Sequence, residues 1–223
     1  MDRPSAQPEV LSTLALKGVL GAIAPQLRAR FDATKALLEL IERDESADLV
    51  ILTGEAIAAL EKQGKLAASA PLGRSGIGVA VRLGAPKPDI GTVEALKAAL
   101  LSAESVAHSK VGASGIYFAG LLRQMGIADR LKKVVIVEKG PVGAVVASGG
   151  AQIGVQQLCE LAPVPGIDIV GPLPDPLQKL TLFSAGIPKA AKNPAAAHAV
   201  IDLLRSGKAA ATMMKNGMQP AGR

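Results

Sequence analysis

The stretch from Ser105 to Gly126 carries residue types suited to holding an anion. Its first residues alternate as in a short strand, and Ser114-Gly115 then closes a loop rich in Gly and Ser. A helix follows, indicated by apolar residues at helical spacing, namely Phe118, Leu121, Leu122 and Met125. A strand that enters a helix through Ser and Gly leaves unpaired N–H groups at the positive end of the helix dipole, which favours an anion. Ser is equally common as an ordinary N-cap, so the stretch alone leaves both interpretations open.

The composition limits the classes of ligand that the chain is expected to hold. It has 223 residues, of which 49% are hydrophobic and 20% charged, as in a globular protein with a sizeable core. Aromatic residues make up only 2%, with no Trp, so we expect no stacking surface for nucleic acid. The net charge of +6 comes from scattered Lys and Arg, which is compatible with a small anionic ligand or with a role in solubility alone.

Metal, disulfide and nucleotide-binding motifs are missing from the sequence. A single cysteine, Cys159, excludes an internal disulfide, and its apolar neighbours predict a small buried residue rather than a nucleophile. Two histidines, His108 and His198, are too few for a His-rich metal site. The sequence contains no HExxH, CxxC or GxxxxGK(S/T) motif. We therefore expect no metal and no cofactor.

Two further observations concern membrane insertion and export. No apolar run approaches the roughly 18 residues that a membrane-spanning helix needs, so we expect no direct membrane insertion. The first residues, MDRPSAQPEV, lack the basic and apolar regions of a secretory leader. The chain is therefore expected to be cytoplasmic if the sequence is complete, or else a mature form whose leader has been replaced by a start methionine.

Strand and helix patterns alternate along the chain, which predicts an α/β protein. Asp48–Leu52 is almost wholly apolar, as expected of a parallel strand covered on both faces. Helices are predicted over Thr13–Ala29 and Thr92–Ala103, and Asn193-Pro194 is a strong helix start. A Pro/Gly-dense stretch, Leu83–Gly91, marks a crossing between two units.

The predicted order gives two units, one of residues 1–81 with 185–223 and the other of residues 82–184. Ligands of open α/β sheets bind beyond the carboxyl ends of the strands. With two such units facing each other, the ligand is expected in the cleft between them.

Six segments follow one another along the chain, namely Ser12–Gly18, Ala47–Thr53, Ser75–Arg82 with Gly84-Ala85-Pro86, Ser114-Gly115, Ala151–Gln156 and Asn193-Pro194. In this order they resemble the type 2 periplasmic solute-binding proteins, and among them the branch that includes molybdate-binding proteins. The resemblance implies a two-lobed fold in which each lobe is a mixed sheet flanked by helices, and in which two crossing strands join the lobes. It implies a binding protein for a small oxyanion or carboxylate, a periplasmic location and an ABC-transporter membrane component as partner.

The resemblance also implies which residues hold the ligand, since such proteins use hydroxyls and helix N-terminal N–H groups. These are Ser12, Thr13 and Thr34 in the first lobe, and Ser109, Ser114, Gly115 and Gln156 in the second. Such donors are directional but carry no full countercharge, so a bound anion can be released.

Two motifs are similar to the aconitate isomerase-like group of the same fold, namely STLALKG at residues 12–18 and GVAVR followed by GAPKPDI. This resemblance implies an alternative function, the isomerisation of a small unsaturated tricarboxylate. Such a reaction needs a base, for which His108 is the candidate, and groups that hold carboxylates, for which Arg74 is the candidate clamp. Binder and isomerase both remain open. A third alternative, the effector domain of a LysR-type regulator, requires a longer chain with a DNA-binding segment before Ser12.

Overall fold

The computed structural model describes residues 7–222. Its strands are β1 (Val10–Thr13), β2 (Ala29–Asp32), β3 (Leu49–Thr53), β4 (Leu66–Ser75), β5 (Ile77–Arg82), β6 (Val106–Ser109), β7 (Val134–Val137), β8 (Ile153–Gln157), β9 (Ile167–Pro172), β10 (Thr181–Pro188) and β11 (Gln219–Pro220). Its α-helices are α1 (Lys17–Ile23), α2 (Thr34–Glu42), α3 (Gly54–Lys62), α4 (Val93–Ser102), α5 (Ala113–Gln124), α6 (Val142–Ala147), α7 (Leu158–Leu161), α8 (Pro194–Leu204) and α9 (Gly207–Lys215). Two 3-10 helices span Leu14–Leu16 and Ala128–Arg130. None of the helices within residues 7–222 has the length and apolar character needed to cross a membrane.

The chain forms two compact units, one of residues 1–74 with 181–223 and one of residues 75–180. Both boundaries lie earlier in the chain than the sequence predicts. The first moves because β5 pairs with β8 and β9, which places residues 77–81 in the second sheet. The second moves because β10 pairs with β3 from Phe183 onward, which places residues 181–184 in the first sheet.

The first unit contains a six-stranded mixed sheet in the order β11-β4-β10-β3-β1-β2. Strand β1 runs parallel to both β2 and β3, whereas β10 runs antiparallel to β3. Residues Leu49 to Leu52 of β3 are fully buried, which confirms a parallel strand covered on both faces. Because β1, β2 and β3 are parallel, their carboxyl ends meet at one edge of this sheet, and a helix follows each of them.

The second unit contains a five-stranded mixed sheet in the order β7-β6-β8-β5-β9. Strand β6 is parallel to β7 and β8, and β5 is antiparallel to both β8 and β9. Its main core packs the apolar face of α5 and α4 against the sheet, through residues that include Phe118, Leu96 and Val155. The carboxyl ends of β6, β7 and β8 share one edge, at which α5, α6 and α7 begin.

Helix starts predicted from capping residues are largely confirmed. The Thr92 hydroxyl accepts a hydrogen bond from the Ala95 N–H, and the Asn193 side chain accepts one from the Ala196 N–H. The first predicted helix is instead split, since Leu14–Leu16 is a 3-10 turn and α1 ends at Ile23. Pro25 explains the early end, because the residue before a proline is disfavoured in a helix.

Candidate functional site

The hydroxyls of Ser12 and Thr13 lie at the carboxyl end of β1, and they differ in their partners. Ser12 is fully buried and donates its hydroxyl to the Thr13 carbonyl at 3.0 Å. Thr13 is 3% exposed, yet its Oγ1 is buried without a hydrogen-bond partner among the residues that the structure describes. A buried hydroxyl with no partner costs free energy, so Thr13 carries an unused hydrogen-bonding group at the sheet edge where ligands are expected.

Thr34 lies at the same edge, at the first position of α2 and half-buried. The strand β2 that precedes it ends at Asp32, which is the register partner of Thr13. The Asp32 carboxylate accepts the N–H of the next residue, Ala33, at 2.8 Å. The structure therefore brings Thr34 to the edge where Thr13 lies, and places a carboxylate between them in the chain.

Thr53 is a further hydroxyl at this edge that the site prediction left out. It ends β3, and its Oγ1 accepts the Ala56 N–H at 3.4 Å as the N-cap of α3. The signal for it was local, since Thr-Gly directly follows an apolar strand.

In the second unit, Ser109 ends β6 and shapes the loop before α5. Its Oγ accepts the Gly112 N–H at 2.9 Å. The first hydrogen bond of helix α5 runs from the Ile116 N–H to the Gly112 carbonyl. The N–H groups of residues 113–115, in the first turn, therefore have no carbonyl partner within the helix. Ser109 thus positions the turn, and the turn itself supplies the donors.

Ser114 and Gly115 lie inside that first turn, and both are buried. A Cβ atom added to Gly115 would stand 1.9 Å from the Ser109 carbonyl oxygen. The helix can therefore approach the end of β6 this closely only because residue 115 has no side chain. The predicted Ser-Gly pair is a packing requirement as well as a candidate anion contact.

His108, the candidate base, is 5% exposed within β6. Its Nδ1 lies 3.0 Å from the Ser109 carbonyl oxygen. Its ring meets the Phe118 ring edge to face, with the centroids 5.7 Å apart. These contacts hold the imidazole inside the second unit.

Gln156 has both ends of its side-chain amide engaged within the second unit. Its Oε1 accepts the Val142 N–H at 2.8 Å, and its Nε2 donates to the Glu160 carboxylate. Burial raises the pKa of Glu160 to about 7, while the hydrogen bond from Gln156 lowers it to a smaller extent. No local pattern in the sequence indicates a role for Glu160, since its surroundings arise from tertiary packing.

Arg74 and Cys159, two further residues singled out in the sequence, differ in burial. Arg74 is exposed at the last position of the first unit, in β4, opposite Gln219. Cys159 is fully buried, its N–H donates to the Ser75 Oγ, and burial raises the pKa of its thiol. The prediction of a small buried residue at 159 is confirmed.

The sequence from residue 25 to residue 219 matches the bacterial extracellular solute-binding proteins. The chain belongs to this family. An aconitate isomerase from a Pseudomonas species is 39% identical over 237 residues, which cover 97% of this solute-binding protein and 90% of that relative.

Two solved structures show the same fold. The periplasmic molybdate-binding protein of Azotobacter vinelandii matches with a TM-score of 0.78 at 17% identity, over 96% of this chain and 99% of that one. The sulfate-binding protein of Mycobacterium tuberculosis matches with a TM-score of 0.69 at 17% identity, over 96% and 87%. The predicted solute-binding-protein fold, with two mixed sheets flanked by helices, is confirmed.

Proposed function

We propose that this solute-binding protein holds a small anion, an oxyanion or a polycarboxylate, at the carboxyl ends of its parallel strands. The observation that carries the proposal is the Thr13 hydroxyl, which is buried at the end of β1 with no partner among residues 7–222. Burying a hydroxyl unpaired costs about 1–3 kcal/mol. A ligand oxygen that accepts a hydrogen bond from Thr13 would remove that cost. The unpaired Thr13 hydroxyl therefore supports a ligand-binding role rather than a purely structural one.

The second unit supports the proposal through the first turn of α5, a helix of twelve residues. The N–H groups of Ser114 and Gly115 stand at its positive end, where an anion is stabilised. Ser12, Ser109 and Gln156 have hydrogen bonds within the protein. We assign them a supporting role, in which they hold the strand ends and loops that carry Thr13 and Ser114.

The proposal also fits the relatives. One structural neighbour is a molybdate-binding protein, another is a sulfate-binding protein, and the 39% identical relative is an aconitate isomerase. All three names concern small anions. As a member of an extracellular solute-binding family, the protein would act in the periplasm and pass its ligand to the membrane component of an ABC transporter. Osmotic-shock fractionation of the source bacterium tests the location, since recovery with the cytoplasmic markers would reject it.

Isothermal titration with molybdate, sulfate, citrate and trans-aconitate tests the binding function. We expect one of these anions to bind, and Thr13→Val to weaken it about tenfold through the loss of one hydrogen bond. Thr13→Ser keeps the hydroxyl and serves as the matched control, with near wild-type affinity. If none of the four anions gives binding heat, the proposed ligand class is wrong.

A second function, isomerisation of a small unsaturated tricarboxylate, is favoured by the aconitate isomerase relative, which matches 97% of the chain. The reaction moves a proton from the carbon beside one carboxylate to the far carbon of the double bond, so no cofactor is required. Ser and Thr hydroxyls and helix N–H groups would hold the carboxylates, with Arg74 as a further clamp and His108 as a candidate base. Incubation of the protein with trans-aconitate, followed by proton NMR, decides the matter, because an unchanged spectrum rejects the isomerase.

A further inference from the structure

The side chains of Gln156 and Glu160 form one hydrogen-bonded chain with the start of α6. The Val142 N–H, at the first residue of that helix, donates to the Gln156 Oε1 at 2.8 Å. A backbone N–H can only donate, so the accepting atom must be the amide oxygen. The amide nitrogen therefore faces Glu160 and donates to its Oε2. The orientation of Gln156 is fixed by chemistry, and it holds the Glu160 carboxyl in place.

This chain of groups lies at the strand ends where the second unit offers its anion donors. Strands β6 and β8 are parallel neighbours, with His108 opposite Val155. Ser109 and Gln156 directly follow these two residues, the first as the residue that ends β6 and the second as the residue that orients Glu160. Helices α5 and α7 thus start from adjacent strand ends at the same edge of one sheet.

The elements with the most extensive contacts to α7 bring no countercharge to Glu160. These elements are β5, β8 and α6. The residues of β8 and α6 are all uncharged, and the single charged residue of β5 is Arg82. Because β5 runs antiparallel to β8, with Ile77 opposite Gln157, Arg82 lies at the other edge of the sheet. Within α7 itself, the neighbouring ionisable group is the thiol of Cys159, and burial keeps this thiol neutral.

Charged groups of the adjoining loops are exposed or paired. Lys110, directly after β6, makes a salt bridge of 2.9 Å with Glu138, directly after β7, and both side chains are more than half exposed. Lys139 follows Glu138 and also has an interaction partner. Such exposed charges are screened by solvent and salt, so they offset the burial of Glu160 only weakly.

We infer that Glu160, oriented by Gln156, is the protonated partner of the anion site, so that binding of an anion takes up a proton at this carboxyl. The inference rests on the proposed anion-binding function and adds a residue that the family resemblance does not supply. With its pKa raised to about 7 by burial, Glu160 is partly ionised in the free protein near neutral pH. An anion bound at the neighbouring start of α5 disfavours the ionised carboxylate, and the carboxyl then binds a proton.

Linkage makes the effect reciprocal. If the anion favours protonated Glu160, protonation favours the anion, so affinity falls as pH rises through the pKa of Glu160. We expect the affinity to fall up to about tenfold between pH 6 and pH 8, since one unit of pKa corresponds to one factor of ten. Above this range Glu160 is ionised in both the free and the anion-bound protein, so proton uptake ceases and the affinity no longer depends on this carboxyl.

Isothermal titration of trans-aconitate at pH 7, in buffers that differ in ionisation enthalpy, counts the protons taken up. Sulfate is a second probe, because it does not itself titrate between pH 6 and pH 8. We expect uptake of a fraction of one proton by the wild type and none by Glu160→Gln, which keeps the hydrogen bond from Gln156. Glu138→Gln, a matched change of an exposed carboxyl in the adjoining loop, should retain the uptake.

The outcomes separate this inference from the proposed function. Binding without proton uptake in the wild type, or uptake that survives in Glu160→Gln, overturns the role of Glu160 and leaves the anion binder standing. No binding of either probe or of the other panel anions overturns both. If Glu160→Gln does not fold, carbon-13 NMR of glutamate-labelled wild type replaces it. One carboxyl that titrates near pH 7 and shifts upward with ligand supports the inference, and a glutamate set that the ligand leaves unmoved refutes it.

Discussion

At the scale of single residues, Ser12 and Thr13 are chain neighbours whose hydroxyls serve different ends. The Ser12 hydroxyl bonds to the Thr13 carbonyl and is part of the strand end. The Thr13 hydroxyl is as deeply buried but has no partner among the described residues. An unpaired buried hydroxyl lowers the stability of the folded protein. Such hydroxyls are typical of positions where a bound ligand supplies the missing hydrogen bond.

Replacement of Thr13 by Val should therefore leave the free protein as stable as before, or more stable by up to about 1 kcal/mol, because Val keeps the shape and removes an unpaired hydroxyl. Ser12→Ala should instead lower the free energy of unfolding by about 1 kcal/mol, since it deletes a buried hydrogen bond. Urea denaturation of the ligand-free variants measures both values. A larger loss for Thr13→Val than for Ser12→Ala would show that the Thr13 hydroxyl is structural.

Glu160 gives a pH-dependent stability whose sign follows from its pKa. Burial raises that pKa from 4.5 in the unfolded chain to about 7 in the folded protein, so between these values the folded state holds the extra proton. Stability then falls as pH rises through this window. Glu160→Gln removes the effect, and should stabilise the protein at pH 8 by about 2 kcal/mol while changing little at pH 5. Denaturation curves at the two pH values check this, and equal effects at both would contradict it.

At the scale of elements, the start of α5 shows how strand and helix depend on each other. The hydrogen bond from the Gly112 N–H to the Ser109 hydroxyl holds the loop against the end of β6. The helix then lies so close to β6 that a Cβ atom at residue 115 would overlap the Ser109 carbonyl. The free N–H groups of this turn are thereby held against the strand end. A looser turn would leave the same donors but would not fix their positions.

Gly115→Ala should destabilise the protein by about 3 kcal/mol or more, because its methyl group would overlap the Ser109 carbonyl and push the helix away. Gly120→Ala is the matched control in the same helix, since a Cβ there meets nothing within 4 Å. That change should stabilise by about 0.5–1 kcal/mol through helix propensity. Thermal unfolding of both variants measures the contrast, and similar unfolding temperatures would contradict the close approach.

Local signals in the sequence predicted some elements, and others depended on distant partners. The caps Thr92 and Asn193 were predictable because their hydrogen bonds lie within three residues. Strand β4 has no such local signal over its whole length, because Pro71 lies within it and proline is unfavourable in a strand. It depends on distant partners, since β10 and β11 lie along its two edges.

At the scale of the whole molecule, two signals of different kinds identified the fold and the candidate site. The order of strand, hydroxyl loop and helix in both halves predicted two α/β units, and the resemblance of the six segments implied the solute-binding-protein fold, which the family match confirms. The candidate hydroxyls could also be predicted, because a strand end is local. Glu160 could not be, since its environment depends on the packing of α7 against β5, which lies far from it along the chain.

The net charge of +6 acts over the whole molecule and should speed the capture of an anion. The Debye length falls from about 30 Å at 0.01 M salt to about 8 Å at 0.15 M. At the higher salt concentration the positive charge therefore attracts the anion only over a short distance. We expect the association rate constant of the bound anion to fall several-fold over this range, with the dissociation rate nearly constant. Stopped-flow measurements in sodium chloride and in sodium gluconate of equal ionic strength test the cause. Equal declines in both salts indicate screening, whereas a decline in chloride alone means that chloride competes for the site, and the net charge then has no part in capture.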